Sequence, residues 1–102
     1  MKQRNVMSLG LACVLAAGTT AALAYSGGQF QNEAKIGIQQ ARAIALKASP
    51  GKIVDEELEK ERGGSGLRYS FDIRNGSATQ EVGVDAKTGA VLENSTEGPN
   101  PD

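Results

Sequence analysis

The sequence predicts an α+β fold, one helix packed on a small antiparallel sheet, from three observations. Leu67 to Arg74 alternates strictly, with Leu67, Tyr69, Phe71 and Ile73 on one side and Arg68, Ser70, Asp72 and Arg74 on the other. That period of two, carried by aromatic and β-branched residues, is the mark of a half-buried strand. Asn75-Gly76 follows at once, the dipeptide that best tolerates the positive φ angles of a tight hairpin turn. Upstream, Ile38, Ala41, Ala45 and Ala48 recur at helical spacing with Ile44 beside them, which makes one apolar stripe to cover the sheet.

Taken in order, the chain opens with Lys2 and Arg4 ahead of a mostly apolar run from Val6 to Ala17, and Ala22-Leu23-Ala24 has the small-x-small pattern. Residues 1–24 therefore read as a secretory signal peptide cut between Ala24 and Tyr25. A membrane anchor is the weaker reading, because Thr19-Thr20 interrupts the apolar run before spanning length. Lipidation of Cys13 is another: Gly10-Leu11-Ala12-Cys13 loosely resembles a lipobox, but the apolar run continues past Cys13. Export puts the mature chain in the periplasm or outside the cell, with only transient membrane contact through the leader.

Residues 25–35 are rich in Gly and Gln and read as a flexible lead-in. The helix covers Ile36 to Ala48, with Gly37 as N-cap, Gln40 at the capping-box position and Ile36 placed to staple against Ala41. Ser49-Pro50-Gly51 stops it, since the residue before proline is pushed out of the α region. Lys52 to Arg62 is ambiguous. Its Glu and Lys content favours a helix, yet only Ile53, Val54 and Leu58 are there to bury. Gly63-Gly64-Ser65-Gly66 reads as a loose turn.

A two-residue loop at Asn75-Gly76 would pair Arg74 with Ser77. Ile73 then faces Ala78, Phe71 faces Gln80, Tyr69 faces Val82 and Leu67 faces Val84, while Arg68, Ser70 and Asp72 face Gly83, Glu81 and Thr79. Asp85-Ala86-Lys87-Thr88-Gly89 reads as an Asx-type turn in which Asp85 accepts from Lys87 or Thr88 and Gly89 takes the left-handed conformation. Ala90-Val91-Leu92 returns as a short last strand. The domain is thus expected over residues 36–93, with a disordered tail over 94–102.

The chain has 102 residues with one Cys, no His and no Trp, and a net charge of −1. Loss of the leader removes Cys13, so neither a disulfide nor a thiolate metal site is available to the mature protein. Without His, the usual general base and the commonest zinc ligand are missing, and nothing is left to activate the many Ser and Thr hydroxyls. Weak acidity argues against a nucleic-acid partner. No catalytic, cofactor or metal residue is assigned.

With these residues laid out, the chain resembles the PepSY domain family, named for the propeptides of thermolysin-type metallopeptidases and for YPEB-like regulators. The matching features are the Ile36…Ala41…Ala45…Ala48 helix, the Ser49-Pro50-Gly51-Lys52 stop and Leu58-Glu59-Lys60-Glu61. They continue with Tyr69-Ser70-Phe71-Asp72-Ile73 and Val82-Gly83-Val84-Asp85-Ala86-Lys87-Thr88-Gly89-Ala90-Val91-Leu92. The resemblance covers about residues 36–92. It implies that the acidic segment is the first strand of the sheet, giving three to four strands after the helix. Gly37 departs from the Ser or Thr frequent in the family, and Gly83 sits mid-strand, where it would mark a bulge.

The family implies a non-enzymatic protein-binding module, with an extracytoplasmic peptidase as the partner to inhibit or regulate. The candidate partner face is the polar side of the sheet: Arg68, Ser70, Asp72, Arg74, Thr79 and Glu81. The acidic edge strand offers a second route, by strand addition to a partner or to a twin in a weak homodimer. Asp85, Thr88 and Gly89 are expected to be structural. A small-molecule or metal-ion-binding envelope module is the competing reading, resting on the acids between Asp55 and Glu61.

Overall fold

The computed structural model describes residues 25–97; the leader, with Cys13 and Ala24, and the last five residues lie outside that range. A 3-10 helix, Gly28–Glu33, leads into α1, Ile38–Ala48. Four strands follow, β1 Lys52–Lys60, β2 Leu67–Asn75, β3 Ala78–Asp85 and β4 Val91–Thr96. They form one antiparallel meander in chain order.

Helix α1 starts at Gly37 with no side-chain cap; the Gly37 carbonyl accepts from the Ala41 amide at 3.0 Å. It ends at Ser49, whose extended backbone precedes Pro50, as proline sterics require. Its buried face is Ile38, Ala41 and Ala45. These meet a core of Leu58, Leu67, Tyr69, Phe71, Ile73, Val82 and Val84. Two fully buried alanines let the helix backbone sit close to the sheet, where a longer side chain would overpack it. Burying Phe71 and Tyr69 contributes about 2–3 kcal/mol each.

Local propensity favours a helix in the acidic segment and the resemblance a strand; it is β1. As a strand, Ile53 and Leu58 turn inward opposite Ile73 and Tyr69, while Asp55, Glu57 and Glu59 turn to the other face. A bulge between Ile53 and Asp55 resets the alternation and leaves Val54 exposed. Glu56, on the helix side, forms a two-pronged ion pair with Arg42 of α1, with Nη2 to Oε2 at 2.8 Å. Ladder bonds and that clamp outweigh an intrinsic preference worth a few tenths of a kcal/mol per residue.

The hairpin register differs from the sequence expectation by two residues. Asn75 pairs with Ala78, Ile73 with Gln80, Phe71 with Val82 and Tyr69 with Val84. The loop residues are Gly76 and Ser77, with Gly76 at φ 65°. A shift of two keeps every side chain on its face, so alternation alone cannot detect it. It sets Phe71 and Tyr69 against valines, and Asn75 is freed to donate from Nδ2 to the Pro50 carbonyl at 3.0 Å.

Two boundaries and one loop also differ. The expected lead-in over 25–35 packs Tyr25, Phe30 and Ala34 against the core instead of lying loose. The last strand runs to Thr96, and the Glu97 amide donates to Thr79, so the tail cannot begin at 94. The glycine turn at 63–66 is tied down by Asp85.

Candidate functional site

Helix α1 covers one face of the sheet, and the opposite face is polar. There β1 contributes Asp55, Glu57 and Glu59, β2 contributes Ser70 and Asp72, and β3 contributes Glu81. Glu97 arrives from beyond β4, and together these line an open concavity of about 360 Å³. Strand pairing enforces the gathering, because Glu57 lies opposite Ser70 and Asp72 opposite Glu81. Like charges directly opposite each other destabilise a sheet, and here Asp72 stands opposite both Asp55 and Glu81.

Glu81 registers it. Partial burial raises its pKa, and the nearby Glu93, Asp72, Glu97 and Glu59 carboxylates raise it further. One oxygen each of Asp72, Glu81 and Glu97 falls within a 4.8 Å group. Ser70 donates to Glu59 at 2.8 Å, which fixes one carboxylate.

Of the residues expected on the partner face, Ser70, Asp72 and Glu81 line this concavity. Arg74 is exposed and Thr79 half-buried at the hairpin end. Arg68 does not belong with them as a free cation. It is 7% exposed, donates from Nη2 to the Arg62 carbonyl at 2.9 Å and pairs through Nη1 with Glu93 at 3.3 Å. Its Nε has no partner among the described residues. Gly83 makes the room: a Cβ there would stand 3.0 Å from Arg68 Nη1. The bulge at Gly83/Val84 follows. Asp55, Glu57, Glu59 and Glu97 extend the face beyond the residues the sequence pattern of β2 and β3 marks. The first three were visible as alternate residues once the segment is read as a strand, but Glu97 required the length of β4.

Asp85 ends β3 and anchors the turn that follows it. It is 1% exposed. Its Oδ2 accepts the Ser65 amide at 2.7 Å, and its Oδ1 accepts the Ser65 hydroxyl at 2.7 Å, the Lys87 amide at 2.8 Å and the Thr88 amide at 3.1 Å. Burial pushes its pKa up, but these hydrogen bonds together bring it down to about 2. Gly89, at φ 83°, closes the turn with its amide on the Asp85 carbonyl.

Family comparison bears on what such a face is for. The model of the family described as "Peptidase propeptide and YPEB domain" matches residues 35–94. The chain belongs to the PepSY family. The matched span holds α1, all of β1 to β3 and the first part of β4, so the acidic face apart from Glu97, and the Asp85 turn, lie within the PepSY unit. Comparison with curated proteins and with solved structures gives no match. Among the described residues, no helix is long and apolar enough to cross a membrane.

Proposed function

We propose that this PepSY chain is an exported, non-enzymatic protein-binding module that regulates an extracytoplasmic peptidase of the thermolysin type. It docks through the uncovered acidic face of its sheet. The observation that carries the reading is that face: Asp55, Glu57, Glu59, Asp72, Glu81 and Glu97 gathered round Ser70, with no element over them among the described residues. A basic partner surface would relieve the repulsion that adds to burial in raising Glu81, and complementary charge speeds encounter and fixes register more than it adds affinity. Family membership supports the regulatory part, since the family is defined by peptidase propeptides. The absence of His from the whole chain supports the non-enzymatic part.

A second reading rests on the spacing of Asp72, Glu81 and Glu97, which suits a hard divalent cation held by oxygens. One titration separates the two. The full chain, and a variant carrying D55N, E57Q, D72N and E81Q, are titrated into a secreted thermolysin-type metallopeptidase at low and high salt. The proposal expects a saturable complex that weakens with salt and is lost in the variant. Absence of a complex, together with a melting temperature that rises with calcium only in the parent chain, overturns it in favour of the cation.

A further inference from the structure

The outer edge of β1 is already occupied by the chain itself. Ser26 pairs with Glu57 in parallel orientation. The Leu58 amide donates to the Ser26 carbonyl at 2.8 Å, and the Ser26 amide to the Glu56 carbonyl at 3.4 Å. Gly27, at φ 88°, lies flat on the strand: a Cβ there would stand 1.7 Å from the Leu58 carbonyl oxygen. Tyr25 sets its ring edge-on to Tyr69, with centroids 6.3 Å apart. The 3-10 helix then crosses to α1, with Phe30 under the Lys60 ammonium and Glu33 paired to the same group at 3.1 Å.

This strap holds to the edge by those two backbone bonds and the Lys60 contacts, its Tyr25, Phe30 and Ala34 pack only partly buried against the core, and no residue of its 3-10 helix is fully buried. The Lys60–Glu33 pair is exposed on both sides, and such pairs contribute little. The ladder joining β1 to β2, in contrast, runs from Lys52 to Lys60. Segments with few buried contacts open at a lower free energy than the sheet they rest on.

We propose that the strap spanning Tyr25 to Glu33 is displaceable, and that the β1 edge beneath it docks an extended segment of the protein partner. The segment adds in parallel and carries an aromatic residue two positions before a glycine. The chain's own Tyr25-Ser26-Gly27 supplies that specification. Tyr69 receives the ring, Leu58 N–H and Glu56 C=O supply the main-chain bonds, and the Leu58 carbonyl admits only glycine. Strand addition of this kind takes affinity from the main chain and specificity from the pockets. The inference rests on the domain being a protein-binding module; peptide capture at the edge reports on the strap alone, whereas the face variants above report on that reading.

The test uses the full chain with Gly27→Val, which cannot seat its strap, and a fluorescent peptide of the sequence Tyr25 to Glu33. The folded variant is expected to bind the peptide saturably. The parent chain should bind it at least about tenfold more weakly, because its tethered strap competes at high effective concentration. The same peptide with valine at the Gly27 position should bind neither. In the parent chain, the Leu58 amide should exchange with solvent faster than the Phe71 amide. The proposal is overturned by any of several results: a folded variant that ignores the peptide, equal binding by both chains, a variant that does not fold, or a Leu58 amide that exchanges only with global unfolding. A parent dimer that forms at the expense of peptide binding overturns it in favour of strap exchange between copies.

Discussion

Asp85 grips Ser65 twice, taking its amide on one carboxylate oxygen and its hydroxyl on the other, both at 2.7 Å. Residues twenty positions apart are thereby joined, and the β1–β2 connection is pinned to the β3–β4 turn. Gly64 makes the approach feasible, because a Cβ there would lie 2.2 Å from Asp85 Oδ2. Replacing Asp85 by Ala leaves the Ser65, Lys87 and Thr88 amides without their acceptor. The expected cost is about 3 kcal/mol, given that hydrogen bonds to a charged group contribute roughly 1.5–3 kcal/mol. Thermal unfolding should show a fall in melting temperature on the order of 15 °C for a domain this small.

The same carboxylate predicts acid sensitivity. The Asp85 pKa falls from 3.8 to about 2 on folding, so the folded state favours the charged form. Its stabilisation is complete above 3.8 and is lost as pH falls through that value toward about 2. Denaturant midpoints measured from pH 5 to pH 2 should fall steeply for the parent chain and less steeply for Asp85→Asn.

Glu81 runs the opposite way. Burial and its neighbours raise its pKa in the folded state, so its charge costs stability at neutral pH and the cost disappears as pH falls through the raised value. Glu81→Gln should therefore raise the unfolding free energy at pH 7 by a few tenths of a kcal/mol to about 1 kcal/mol. The gain should shrink at pH 4 and in high salt. A gain independent of both would remove the electrostatic explanation.

Gly83 and Arg68 form a pair whose signs depend on each other. Gly83 has no need of positive φ, and Gly→Ala at such a site normally stabilises by about 0.4–1 kcal/mol through the unfolded chain. Here the added methyl meets Arg68 Nη1 at 3.0 Å, and Glu93 holds that group in place. Gly83→Ala should cost about 1–2 kcal/mol in the parent chain and turn stabilising once Arg68→Ala is present. Equilibrium unfolding of the two singles and the double supplies the cycle.

Arg42 and Glu56 clamp helix to edge strand, with side chains only 14% and 16% exposed. A double-mutant cycle with Arg42→Ala and Glu56→Ala should give a coupling energy of about 1 kcal/mol, at the upper end for surface pairs because the geometry is bidentate.

How much of this was legible in the sequence varies by element. The period of two in β2 set its faces, and the alanine spacing of α1 set its buried stripe, because both patterns are local. The hairpin register was not legible, since a two-residue slip conserves the faces and only packing distinguishes Phe71 on Val82 from Phe71 on Gln80. In β1 the choice between helix and strand depended on partners far along the chain, Arg42 and the β2 ladder. Alternation in β2 and β3 alone marks a polar face that includes Arg68, which a glycine opposite allows to fold inward, and that omits the β1 acids. The glycines at 63–66 pointed to a loose loop; only the position of Asp85 shows why they are needed.

The most direct measurement of the central claim is a hydrogen-exchange footprint of the chain bound to a secreted thermolysin-type metallopeptidase. Slowed exchange is predicted in peptides carrying Glu57, Asp72 and Glu81, with those of α1 unchanged. Protection confined to α1, or none anywhere in the sheet at saturating peptidase, would contradict it.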